Sequence, residues 1–393
     1  MRRRMAALLL LAVAGSAAAR TASPEPSPTA VRARSATPAP AAGRAPFDNP
    51  PVAPDTITIV LDLRAARAIL ALLSRNQFEA ADAKLLETLP AVRFAIRDSN
   101  RPPETFQRDL AAAFDEQTRI TLFDFRKIRE ERSRWDELLA TISTHEAELT
   151  RLAADRVRAL LPSQPAVTVS VPIDLTFGLS GRADHIDVPA ADGEPEVIVV
   201  DLARALSDAE RAAPAEQLRH LSRLMASETY RRAWAEYRAA SPAWTKRDQT
   251  LGQLEPLLFS VAAAGPVSLY TVDENFFPLS VWLKDRMKAS LDEINRVADR
   301  LVSAEGDLDQ RVALVAEVRR PEFASRVAGP AGAFLADGIV QTLGLDAYRA
   351  ALAAGPRAFF EAYDRAAAQK GRALIPLAKV IRDRLAAAPP PHS

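Results

Sequence analysis

The sequence predicts an α+β protein, mainly helical, with a small antiparallel sheet beside one long helix. Three observations predict it. Apolar residues recur at spacings of three and four from Ala65 to Leu160 and through much of the C-terminal third, the period of a buried helix face. Thr56–Leu63 and Ala166–Ser180 alternate apolar and polar residues, the period of a strand. A third extended segment, EVIVVDL at Glu196–Leu202, follows a turn-forming ADGEP, and strands joined in sequence by short turns suggest antiparallel pairing. A chain of 393 residues, 48% apolar and 26% charged, can bury a substantial core.

The elements follow in order. Arg2–Arg4 form a basic n-region, Met5–Gly15 an apolar stretch too short to span a bilayer, and Ala17-Ala18-Ala19 an A-x-A cleavage site. Residues 1–19 therefore read as a secretory signal peptide, and the mature protein is expected in the periplasm or outside the cell. No cysteine is present, which removes disulfides, thiol catalysis, thiolate metal ligands and a lipidated membrane anchor together. Residues 20–54 hold nine of the 29 prolines among Ala, Ser and Thr. Such a segment buries too little apolar surface to offset its ordering entropy and is expected to be a disordered spacer.

A single domain is expected over residues 55–385, with a tail at 386–393. The strand Thr56–Leu63 opens it, and a helical part follows over 64–162. The charge run RKIREERSRW (Arg126–Trp135) reads there as the solvated face of a helix. Pro162 and Pro165 end that part, and a sheet with a long helix follows over 166–238. Ser207 and Glu210 match a capping box. Pro214 lies too far along for that box, so either the helix kinks there or a new one begins with Pro214 near its first position. A helical C-terminal part covers 250–385.

The segment LSRLMASETYRR (Leu221–Arg232) lies inside the long helix, after the sheet. Ser227 and Arg231 are four apart and share a face, about 6 Å along the axis. Two histidines at that spacing, with a glutamate after the first, would grip one zinc ion. Downstream stand Gly329-Pro330, Phe334, Gly338, Leu343-Gly344, Leu352, Pro356, Phe359 and Tyr363. This layout, over most of residues 55–370, resembles a family of bacterial secreted zinc-dependent peptidases of gluzincin type. Its members carry an H-E-x-x-H helix after a small sheet, an E-G-x-A helix with a third ligand, and G-P-x-Y-x-x-G, L-G-x-x-x-L and P-x-x-F-x-x-Y endings. The resemblance implies that Ser227 and Arg231 occupy the two histidine positions and Ala264 that of the ligand glutamate, with Phe334 where a tyrosine is often found. Glu228 matches the general base. Without zinc its water has no reason to ionise near neutral pH. Arg231 puts a permanent cation where a divalent one should sit.

Two uses of Glu228 compete. Either it forms an exposed intrahelical pair with Arg231 or Arg232, worth a few tenths of a kcal/mol, or Arg231 takes over the zinc's charge inside an old cleft. The plainer one is preferred. Of four histidines, His392 lies in the tail and His145 on a charged helix beside Glu146 and Glu148. His185 and His220 are the alternative ligands for a relocated metal. No phosphate-binding glycine loop, dinucleotide fingerprint or G-x-S-x-G elbow occurs. FGLSGRADH (Phe177–His185) reads as a turn and VDENFFPLSVW (Val272–Trp282) as core or as one wall of a peptide groove. Net charge is +1, or −2 once the leader's three arginines are gone, with 48 basic against 50 acidic residues, which does not suit nucleic acid. The preferred reading is a non-catalytic, cofactor-free pseudo-metallopeptidase that binds peptide or protein in its former cleft or serves as a scaffold. The alternative is an active zinc peptidase with ligands such as His185 or His220 and Glu228.

Overall fold

A computed structural model describes residues 56–115, 121–180, 185–188, 196–206, 214–271, 281–304, 306–319, 327–370 and 374–387. The leader, the spacer, the capping box at Ser207, most of VDENFFPLSVW and the last residues of the tail lie outside them. Among the described residues no helix is long and apolar enough to cross a membrane.

Strand β1 (Thr56–Asp62) uses its alternation directly, burying Ile57, Ile59 and Leu61 and exposing the other face. Helices α1 (Arg64–Leu73), α2 (Ala80–Leu86), α3 (Pro90–Asp98), α4 (Pro103–Ala112), α5 (Phe125–Glu130), α6 (Arg132–Thr144) and α7 (Glu146–Leu160) follow. The basic run does more than meet solvent. Arg129 donates to the carbonyls of Leu73, Arg75 and Ala113, and Arg126 to that of Ala112. These are C-terminal carbonyls of α1 and α4, which lack partners within their own helices.

The sheet contains β2 (Thr168–Thr176), β3 (His185–Val188) and β4 (Val197–Asp201), in the order β1-β2-β4-β3. β1 pairs with β2 and β2 with β4 in parallel, and only β3–β4 is antiparallel. The expected antiparallel sheet is thus mixed. The helices α1–α7 form the long crossover that lets β1 and β2 run parallel, and β3, four residues long, carries the chain past β4 before turning back. The unbroken apolar run VIVV was the signal. All of β4 is buried, as suits a strand covered on both faces. Asp201 at its end caps α8 (Leu202–Ala205), accepting from the N–H groups of Ala203 and Arg204, and also from Leu179.

Helix α9 (Pro214–Ala240) packs on β2 and α7; residues 207–213, which would tell a kink at Pro214 from a new start, lie outside the described ones. Its last turns carry a stacked pair, Trp234 and Tyr237, with Trp244 of α10 (Pro242–Thr245) edge-on to Trp234 at 4.9 Å. A 3₁₀ turn (Gln249–Leu254) leads to α11 (Glu255–Thr271), α12 (Val281–Ser303), α13 (Leu308–Val318), α14 (Ala328–Leu343), α15 (Leu345–Ala354), α16 (Pro356–Lys370) and α17 (Lys379–Ala386). Helices α11 and α14 cross at two glycines. A Cβ on Gly332 would lie 2.5 Å from the Cα of Gly265, and one on Gly265 would lie 2.5 Å from the Gly332 carbonyl carbon. Only backbone fits there.

Candidate functional site

The middle of α9 is buried: Ser227 and Glu228 are each 4% exposed, with Thr229 and Tyr230 deeper still. Glu228 projects toward the first residue of β3. Its Oε1 lies 3.2 Å from His185 Nε2, while its Oε2 accepts from Arg231 Nε at 3.0 Å and lies 3.0 Å from Arg231 Nη2. His185, at the outer edge of the sheet, reaches α9 because β3 lies beyond β4 in strand order.

Burial pushes the Glu228 carboxyl up, but the hydrogen bond and charge of His185 and the Arg231 guanidinium outweigh it. The net result is a carboxyl held below its usual value. The plainer expectation of an exposed pair is therefore corrected. Glu228 sits in the interior, because the face of α9 that carries it turns to the sheet, and its partner is Arg231. Arg232 lies near Glu196 instead, with Nε 3.4 Å from that carboxylate.

The other positions fall elsewhere. Ala264 lines a cavity with Arg238, about seven residues or ~10 Å beyond Arg231 along α9; Ser227, Glu228 and Arg231 do not line that cavity. His220 is half-buried in the second turn of α9. His145 forms the junction between α6 and α7, with Nδ1 3.2 Å from Glu148 Oε2. Phe334 is buried and tilts against Tyr363. Among the described residues no group of three or more His, Cys, Asp or Glu converges as a metal would require.

A zinc ion does not suit the motif positions. Ser227 and Arg231 offer no imidazole beside Glu228, and the arginine's charge occupies the space next to the carboxylate. Compared with known family models, curated proteins and solved structures, the chain matches none. What the cluster can do chemically follows from its own atoms. It is a cation–carboxylate–imidazole relay, with the carboxylate in the centre and both of its oxygens engaged. The convergence of His185 on Glu228 was only half legible in the sequence: both residues stood out, and only the structure brings His185 Nε2 within 3.2 Å of Glu228 Oε1.

Proposed function

We propose that this is a secreted or periplasmic, gluzincin-like pseudo-metallopeptidase that acts by binding peptide or protein, or as a scaffold, and not by hydrolysis. One observation carries the reading: both oxygens of Glu228 are taken up, one by Arg231 and one by His185. A general base needs a free lone pair aimed at a water and a pKa near the operating pH. The Glu228 oxygens are instead directed at Arg231 and His185, and its carboxyl is held below its usual value, which makes it a weak base. Arg231 supports the reading further, because it supplies in fixed form the positive charge that a metal would bring.

The test is elemental analysis of the full protein dialysed against zinc, together with hydrolysis of an unfolded protein substrate. The expected result is well under ~1 zinc per chain and no cleavage above background, with or without zinc. Stoichiometric zinc that is lost in His185→Ala, or cleavage abolished in Glu228→Gln, would overturn the proposal and favour an active enzyme with unorthodox ligands.

A further inference from the structure

A cavity of about 570 Å³ opens between the end of α9, the middle of α11, the end of α13 and the first turn of α14. It stands apart from the Glu228 cluster. Arg238 and Arg319 both line it, and among the described residues that line it none is acidic. The Arg238 Nε is buried and, among the described residues, donates to nothing; its guanidinium lies 5.8 Å from the centre of the Trp234 ring. Burial pushes its pKa down, as expected for a partly buried cation that has no ion-pair partner among the described residues.

Arg319 is held differently. Its Nε donates to Ser260 Oγ at 2.6 Å and its Nη2 to the Pro256 carbonyl at 3.4 Å. Among the described residues that engages two of a guanidinium's five donors and fixes its plane. The third side of the cavity is the start of α14, where the N-cap residue Val327 provides no side-chain cap for the N–H groups of Ala328 and Gly329 and the partial positive charge of the helix start favours anions. Gly329 keeps that turn open, because a Cβ there would strike the Ser268 hydroxyl. Phe259, Val267 and Val318 supply apolar wall. Two arginines, a helix start and an apolar lining therefore meet in a volume typical of small-molecule sites.

We propose that this cavity binds a small organic anion, its carboxylate or phosphate head held between Arg238 and Arg319 and its apolar body against Phe259 and Val267. The ligand supplies the counterion that Arg238 lacks among the described residues. The test uses hexanoate, hexyl phosphate and hexylamine on the full protein, read by calorimetric titration and by thermal unfolding. At least one of the two anions is expected to bind saturably and raise Tm, and the better of them identifies the head group; hexylamine should do neither. Arg238→Met is expected to weaken that anion at least about tenfold while raising the Tm of the ligand-free protein, because it removes a buried charge. A variant damaged merely in its fold would show the opposite Tm change. Binding of neither anion, equal binding of hexylamine, or undiminished binding by Arg238→Met would overturn the assignment.

Discussion

Replacing Arg231 by methionine should cost the fold more than replacing Glu228 by glutamine, although each breaks the same ion pair. The difference lies in what remains. Glu228→Gln leaves the side chains of Arg231 and His185, which are 35% and 30% exposed and can turn toward water. The loss is two charge-assisted contacts discounted for that exposure, about 1–2 kcal/mol. Arg231→Met leaves a carboxylate only 5% exposed with His185 as its sole charged neighbour among the described residues. Stranding a buried charge costs about 3–5 kcal/mol, and the retained imidazole places the expected loss near the lower end. Without the guanidinium the Glu228 pKa also rises. A variant whose folded carboxyl has the higher pKa loses less stability than the wild type as pH falls, so the Arg231→Met deficit shrinks on acidification. Urea unfolding at pH 7 and pH 5, at constant m-value, measures both effects. Equal costs for the two variants, or an Arg231→Met deficit that does not shrink at pH 5, would refute this account of the cluster.

The remaining predictions concern the scaffold. Burial pushes Asp174 and Asp201 up to about 6; for Asp174 the charge of Asp62 adds to the rise, and for Asp201 the bonds from Leu179, Ala203 and Arg204 oppose it. Because these values exceed the unfolded 3.8, both groups favour folding when protonated and cost stability as pH rises through about 6. Glu228 has the opposite sign: its contribution is complete above its ordinary 4.5 and is lost as pH falls below that. The advantage of the two aspartic acids is complete below 3.8 and declines from there through about 6, so these three groups should make stability peak near pH ~4 and fall toward pH ~6; a urea-unfolding profile that rises from pH ~4 to pH ~6 would contradict it. Gly332→Ala should cost about 3 kcal/mol or more, read as a fall in Tm, because the added methyl meets the α11 backbone and no flexible side chain can yield. Trp244→Phe keeps the aromatic packing but removes the 2.8 Å bond from Trp244 Nε1 to the Leu352 carbonyl, which keeps only the 3.3 Å bond from the Gly355 N–H; a loss of about 1 kcal/mol in urea unfolding is expected.

Periodicity made the helices legible. The helices between Ala65 and Leu160, the long helix that carries Leu221–Arg232 and the helical C-terminal part all follow from the spacing of apolar residues. Sheet direction was not legible, because it depends on which strands end up adjacent; β3 places itself outside β4, and no local residue pattern states that. The VIVV run was the one available signal, and alternation elsewhere outweighed it. At the candidate site, the sequence identified Glu228, Arg231 and His185 individually. Their meeting depends on the strand order, and the burial of Glu228 depends on which face of α9 turns to the sheet. Arg238 carried no signal at all. An arginine near a helix C-terminus ordinarily reads as a favourable dipole partner in water, and only the tertiary packing encloses it.

The glycine crossing of α11 and α14 bears on how the anion cavity could be remodelled. Two walls of that cavity are fastened together within about a turn of its lining, backbone against backbone, at Gly265 and Gly332. Rotamer changes cannot widen such a joint, and a larger residue at either position would force the helices apart. The aperture is therefore set by the main chain, while its chemistry is set by replaceable side chains on either side. Selectivity can be retuned through positions such as Ala264 or Val267, but guest size cannot be increased without taking the joint apart.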